Sequence, residues 1–378
     1  MNWHYRQPVT IHFGNGTITR LKDEIRQTGK KRGILVTSPS FEKNGLAARL
    51  VTDSDGTLVT TYSGISPNPD IRECDACIKT IRENACDLVV ALGGGSVLDC
   101  AKAAALFCTA TLPAGDYLDR KIPLPSDRLP LIAIPTTAGT GTEADPFTVI
   151  TNGEEKIGGG GEKCFPAVSI VDPDFMMTVP PHLTAYQGFD AFFHAAEGYL
   201  ASTSTPMSDM FALQAIELIG RSLAAAVRDG SNAEARADVA LANTLAGFVE
   251  TLSSCTGEHA IEHALSAFHP DLPHGAGLIM ISNAYWKRFA EVAGARMAAI
   301  ARAMGKADAT RPEDFLAALA EMQQACGVDT LRLADYGVRE EDCGKIAENA
   351  VVTMGGLFRA DPRKLESGEI EDIIRESI

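Results

Sequence analysis

The chain is short of positive charge. Its 378 residues carry 34 Lys and Arg against 49 Asp and Glu, a formal net charge of −15. That balance argues against nucleic acid or an anionic membrane surface as the main partner, since both need a basic footprint. No apolar run is read as approaching the roughly 18 residues that span a bilayer, so no membrane partner is expected. The opening stretch MNWHYRQPVTIHFGNG lacks a basic segment followed by an apolar one, so no signal peptide is expected either. There is no disulfide framework to read. The nine cysteines are odd in number and dispersed from Cys74 to Cys343, which fits free thiols in a reducing, cytoplasmic setting. Cys74 and Cys77 form a CxxC in IRECDACIKTI, but no second CxxC exists, and the apolar spacing around it is that of a helix.

Hydrophobic residues make up 45% and charged residues 22%, ordinary for a globular protein, and the length allows two domains with separate cores. The first half alternates. KRGILVTS, DLVVALGGGS, LPLIAIPTT and AVSIVDP are short apolar runs that read as buried strands. DIRECDACIKTIRENA, between the first two, has helical spacing. Strand, helix, strand in that order implies a parallel sheet with crossover helices. From about residue 180 the segments become long and rich in Ala and Leu, as in PMSDMFALQAIELIGRSLAAAVRDG, and read as helices. The expected division is an α/β domain over 1–180 and an all-helical domain over 181–378.

Two glycine-rich loops follow strands. In DLVVALGGGSVLDCAK a strand runs into Gly93, Gly94, Gly95 and Ser96 and straight into a helix. Glycine lets the backbone approach a ligand, and a helix N-terminus presents free N–H groups that suit a phosphate. The loop is not GxGxxG, because Leu98 stands at the last Gly position, and no Gly-Lys-Ser/Thr follows to make a Walker motif. In IPTTAGTGTEADPF, Thr136, Thr137 and Thr140 place hydroxyls on a second such loop. Ligands of open parallel sheets bind outside the carboxyl ends of the strands, so two such loops at one edge suggest a dinucleotide.

Histidine is scarce and crowded. Of eight in the chain, four fall in CTGEHAIEHALSAFHPDLPHG: His259, His263, His269 and His274. Upstream, Asp190 and His194 are four apart on an expected helix and share a face. His259 and His263 repeat that spacing, and His274 follows Pro273 in an expected loop. Either these are surface groups, or one carboxylate and two or three imidazoles converge on a divalent transition metal such as Fe(II) or Zn(II).

Taken together, GGGSVLDCAK, IPTTAGTGTE, the Asp172-Pro173 pair, GFDAFFHAAEGYLA, HAIEHALSAFHPDLPHG and ADPR resemble, in order and over nearly the whole length, the iron-containing (group III) alcohol dehydrogenase family. The resemblance implies an α/β dinucleotide-binding domain of the Rossmann-like, dehydroquinate synthase-like kind, followed by a helical catalytic domain. It implies Asp190, His194, His259 and His274 as metal ligands and His263 as a group beside the substrate that assists proton transfer. His269 matches no ligand. Gly93 to Ser96 match the pyrophosphate loop, with Asp99 and Lys102 after it. Thr136, Thr137, Thr140, Asn68 and Lys163 match further cofactor contacts. Phe147, just past the second loop, and Arg359, in GGLFRADPR, are candidates for the substrate pocket. The implied activity is a metal-dependent alcohol dehydrogenase or aldehyde reductase using NAD or NADP on a small alcohol or aldehyde, in a homodimer or larger homo-oligomer.

The sequence departs from the family pattern in three places. Asp145 stands in GTGTEAD where a Thr is usual, and the step from His263 to His274 looks one residue longer. Ser38 stands where NAD-preferring members carry an acidic residue, so NADP is not excluded. A guanidinium at Arg359 would suit an anionic aldehyde carrying a carboxylate, sulfonate or phosphonate. The alternative for Arg359 is a surface pair with Asp361 or Glu366. The rival reading for the whole chain is a sugar-phosphate cyclase of the dehydroquinate synthase type, which would need a set of basic residues that the sequence does not show.

Overall fold

The computed structural model describes residues 3–118 and 122–378; Met1 and Asn2, the start of the stretch read for a leader, lie outside it. The chain opens with β1 (Thr10–Phe13), α1 (Leu21–Thr28) and β2 (Gly33–Thr37). It continues through α2 (Pro39–Lys43), α3 (Leu46–Asp53), β3 (Leu58–Tyr62), α4 (Ile71–Glu83), β4 (Leu88–Gly93) and α5 (Gly95–Phe107). After α6 (Gly115–Leu118) come β5 (Leu131–Pro135), a hairpin of β6 (Phe147–Asn152) and β7 (Glu155–Gly160), and β8 (Val168–Val171).

Six strands form one sheet in the order β1-β8-β5-β4-β2-β3, and every pairing in it is parallel. The apolar runs read from sequence are β2, β4, β5 and β8, all buried along their length. Their alternate residues feed two cores. Ile34, Val36, Val89 and Ala91 pack toward α4 and α5, while Leu35, Val90 and Leu92 pack toward α1 and α3. Each of the Val, Leu and Ile side chains contributes about 1.5–3 kcal/mol on burial. Helix α4 starts at Asp70, which accepts from Arg72 N at 2.7 Å and receives a reciprocal cap from Glu73. Its buried face is Cys74, Cys77, Ile78 and Ile81, so the CxxC is core packing. All nine cysteines are free.

The rest of the chain is helical: α7 (Pro181–Leu200), α8 (Pro206–Arg228), α9 (Ala233–Leu252), α10 (Gly257–Phe268), α11 (His274–Lys287), α12 (Ala290–Ala303), α13 (Pro312–Ala325), α14 (Cys343–Phe358) and α15 (Ser367–Arg375). They enclose a third core that includes Phe189, Phe192, Phe193, Trp286 and Phe315. The sequence reading needs one correction here. By length and composition α8 could cross a membrane, with a mean hydropathy of 1.4 over its best window. It is apolar because Ala212, Ala215, Ile216, Ile219, Leu223 and Ala226 lie buried in this core, with α7 and α9 packed against it.

β4 lies between β5 and β2, and the chain leaves β2 toward β3 on one side but β4 toward β5 on the other. The carboxyl ends of β2 and β4 therefore flank the switch point of the sheet, where open α/β sheets bind ligands.

Candidate metal centre and active site

The two loops meet at that edge. Gly93 pairs in register with Pro135, and Thr136 N donates to Gly93 O at 2.9 Å. A Cβ on Gly95 would lie 2.5 Å from Thr140 Cγ2, so the residue must be glycine for the loops to close on each other. Gly94 is the cap residue of α5, whose first N–H groups open at the loop. Ser38 follows β2 as the cap residue of α2, its hydroxyl 2.7 Å from that of Ser40. Asn68 sits in the left-handed region at φ 54 in the turn before α4.

Two expected cofactor contacts have other partners. Lys102 is 1% exposed, and its Nζ donates to Asp145 O, Asp145 Oδ1 and Phe147 O at 2.8–3.0 Å. Asp99 accepts from Thr142 Oγ1 at 2.7 Å and Val149 N at 2.9 Å. Both brace the second loop and the β6–β7 hairpin from inside, with these polar groups satisfied by protein. Burial raises the Asp145 carboxyl to about 7 despite the Lys102 ammonium beside it. Lys163 is exposed on a short turn, whereas the lysine that reaches the centre is Lys156 on β7. Its Nζ lies 3.0 Å from Ser266 Oγ and 3.4 Å from His274 Nδ1.

The centre itself is built by three helices. On α7, Asp190 and His194 share a face through the i,i+4 spacing. α10 carries His259 and His263 by the same rule. His274 is the first residue of α11, directly after Pro273, where the sequence suggested a loop. A Cβ on Gly275 would stand 2.1 Å from Tyr186 O, so α11 begins in contact with α7 and His274 is delivered to Asp190. Asp190 Oδ1 lies 3.4 Å from His259 Nε2 and 3.4 Å from His274 Nε2. These three residues form one donor group fit for a metal ion. His194 stacks on His259 with ring centroids 4.2 Å apart and lies 3.7 Å from Asp190 Oδ1 through Nδ1. It joins Cys255 and His259 in an adjoining donor group.

The outer nitrogens are held from behind. His259 Nδ1 hydrogen-bonds Glu197 Oε1, His274 Nδ1 hydrogen-bonds Glu262 Oε2, and His194 Nδ1 is 3.1 Å from Gly139 O. Acceptors on Nδ1 orient the rings so that Nε2 of His259 and of His274 faces Asp190, the usual support of metal-bound imidazole. Asp190, Glu197, Glu250 and Glu262 are each no more than 8% exposed around this point. So many buried carboxylates call for a cation, since an unpaired buried charge is expensive. The residues present therefore fit a divalent ion.

Burial opposes charge on Asp190, yet His194 and His274 and the hydrogen bonds from His259 and His274 hold its carboxyl well below the usual range. Burial pushes His194 down to about 4. Burial, with Lys156 and His274 nearby, also keeps His263 well below its ordinary value, so it is neutral. His263 Nδ1 is buried without a hydrogen-bond partner, and its ring is 5.3 Å from that of His274. His269 is the cap residue after α10 and belongs to none of the donor groups found among the described residues.

Phe147 is 41% exposed at the start of β6. Arg359 is exposed at the end of α14, and neither pairing expected for it forms. Asp361 turns inward to accept from Gly257 N and Tyr285 Oη, and Glu366 pairs with Lys364.

With this geometry fixed, comparison with known proteins is decisive. The sequence model for "Iron-containing alcohol dehydrogenase" matches residues 8–173, and that for "Fe-containing alcohol dehydrogenase family, C-terminal" matches residues 184–378. The chain belongs to the iron-containing alcohol dehydrogenase family. It is 34% identical over 357 residues to alcohol dehydrogenase 4 of Saccharomyces cerevisiae, covering 92% of this chain and 91% of that one. An archaeal halo-thermophilic Red Sea brine pool alcohol dehydrogenase superposes with a TM-score of 0.93 at 33% identity, covering 100% of both chains. Sulfoacetaldehyde reductase from Bifidobacterium kashiwanohense, in complex with NAD+, superposes with a TM-score of 0.90 at 34% identity, covering 100% of this chain and 98% of that one. This member of the family is thus a metal-dependent oxidoreductase of alcohols and aldehydes. The cyclase alternative is not favoured.

Sequence reasoning missed Glu197, Glu262, Glu250, Cys255 and Lys156. Glu197 and Glu262 left a signal in their spacing: each stands three residues after a candidate ligand, His194 and His259, on the same helix face. Lys156 left none, because its hairpin is defined by pairing.

Proposed function

We propose that Asp190, His194, His259 and His274 hold one divalent ion, and that the two loops hold NAD or NADP across the switch point. Residues 1–180 would form the cofactor half and 181–378 the catalytic half. The observation that carries this is Asp190 Oδ1 at 3.4 Å from two Nε2 atoms whose rings are anchored by Glu197 and Glu262. When bound, the ion supplies Lewis acidity to a substrate oxygen and the nicotinamide supplies or accepts a hydride.

The chain's residues do the rest. Gly93 to Ser96 and the start of α5 receive the pyrophosphate, and Thr136, Thr137 and Thr140 line the facing loop. Ser38 and Asn68 flank the adenosine side, and Lys163 is a further outer contact. His263, neutral and with Nδ1 free, takes the proton released in alcohol oxidation and returns it in aldehyde reduction. The buried helices exclude water from the reacting carbons. In this reading the enzyme works in the cytoplasm, where its free thiols persist, and as a homo-oligomer.

For the substrate we favour a small aldehyde, with an anionic tail as the refinement. Supporting this are Arg359, which has no ion-pair partner among the described residues and lies one residue past Phe358, which packs on Gly257 at the start of α10, and the likeness to the sulfoacetaldehyde reductase. Phe147 would supply an apolar wall. The test is a panel of matched anionic and neutral aldehydes assayed with NADH and NADPH, before and after chelation. Turnover should vanish with the metal and return on metal addition; turnover that survives complete metal removal overturns the reading. Arg359→Ala should raise KM for anionic aldehydes alone; equal effects on both kinds remove the anionic refinement.

A further inference from the structure

The metal pocket has a second wall, built by residues with no part in the four-ligand set. Cys255 lies in the turn between α9 and α10, four residues before His259. Its Sγ, a ring nitrogen of His194 and a ring nitrogen of His259 all lie within 4.8 Å of one another. Glu250, in the last turn of α9, closes that side. Its Oε2 is 3.7 Å from Cys255 Sγ, and its Oε1 is 3.7 Å from His194 Nδ1. Glu250 is only 8% exposed, yet Oε1 has no hydrogen-bond partner. A buried acceptor left unmade is costly, and this one is directed at the same cluster as the thiol. His259 belongs both to this group and to the one it forms with Asp190 and His274. An ion bound through His259 would thus stand between two donor groups, Asp190 and His274 in one and His194 and Cys255 in the other, with Glu250 beside the second.

We propose that Cys255 is a thiolate ligand of the ion at this centre, with Glu250 Oε1 directed at the same ion. On binding, the S–H bond breaks, the sulfur pair bonds the ion, and the proton is released to solvent. The consequence is selectivity. Imidazole and carboxylate alone suit Fe(II) and Zn(II) alike, whereas an added thiolate favours the softer ion. The centre is thereby biased toward zinc, and cadmium binds it as well. This rests on the ligand assignment proposed above, and the two can be separated.

The experiment loads metal-free full-length protein with Co(II) and records its absorption. Visible d–d bands report occupancy of the Asp190–His centre, and a near-ultraviolet band reports sulfur-to-cobalt charge transfer. Both bands are expected in the parent, with only the near-ultraviolet band lost in Cys255→Ser. Visible bands without charge transfer in the parent overturn the thiolate assignment and leave the four-ligand reading intact. No visible bands at all overturn the four-ligand reading and the inference with it. A second readout needs no variant. Iodoacetamide should alkylate Cys255 in the metal-free protein and spare it with Zn(II) bound, as read by peptide mass; equal labelling in both states overturns the proposal. In competition dialysis, Cys255→Ser should lose about tenfold or more in Zn(II) affinity, on the scale of ligand-support effects, and less in Fe(II) affinity. Equal losses for both ions overturn the selectivity.

Discussion

Lys156 Nζ lies 3.6 Å from Glu262 Oε2, a lysine of the sheet domain's hairpin paired with a glutamate inside the helical domain. Glu262 in turn holds His274 Nδ1, so the hairpin is tied to the metal centre through one carboxylate. Lys156→Met should leave that carboxylate without its cation, at about 3–5 kcal/mol for a broken buried pair. The melting temperature should fall and metal should escape faster to a chelator. Glu262→Gln placed on top should recover part of the loss. Strict additivity of the two substitutions in melting temperature would show that the pair is not coupled.

Removing a ligand should separate metal from fold. His274→Ala or Asp190→Asn should eliminate bound metal and turnover, while the helical core around Phe192, Trp286 and Phe315 keeps the protein folded. Metal analysis beside circular dichroism checks this. Either variant with full metal content and parental turnover would refute the assignment.

Cofactor choice should respond to Ser38. It directly follows β2 as the cap residue of α2, and it carries no charge. Ser38→Asp should penalise NADPH on the order of tenfold or more, since like charges about 4 Å apart near a surface repel by up to about 4 kcal/mol. NADH should be little affected. An unchanged ratio of kcat/KM for the two cofactors would place Ser38 away from the ribose.

Stability should depend on pH through Asp361. Burial raises its carboxyl to about 7, against hydrogen bonds from Gly257 N and Tyr285 Oη that favour the charged form. Between about pH 4 and 7 the unfolded chain has lost the proton that the folded protein keeps. Stability from this group therefore falls as pH rises through that window and levels off above it. Asp361→Asn has no such proton, so its melting temperature relative to the parent should climb from pH 5 to pH 8. A constant difference across that range would show that Asp361 does not titrate as described.

The legible parts of the fold are those with one environment along their length. β2, β4, β5 and β8 are covered on both faces, so each is an unbroken apolar run. The edge strands β1 and β3 are half exposed and mixed in character, and carry no such run. β6 and β7 are held by pairing with each other, through Gly158, Gly159 and Gly160, and glycine by itself argues against a strand. α8 shows the converse error: its apolar length reflects burial between helices.

By itself the sequence determines local relations. Four-residue spacing on a helix puts Asp190 beside His194 and His259 beside His263 wherever those helices lie, because 3.6 residues make a turn. An apolar run followed by glycines makes a strand that ends in a loop open to a ligand. Tertiary structure alone decides which of these faces meet. His274 reaches Asp190 because Gly275 lets α11 touch α7 at Tyr186. Lys102 and Asp99 have the spacing of ligand contacts but are satisfied within the protein, and Lys156, with no motif around it, is carried to the centre by a hairpin. The reason is physical: a side chain's polar atoms take whichever partner the packing of distant segments brings within about 3 Å, and sequence spacing does not encode that distance.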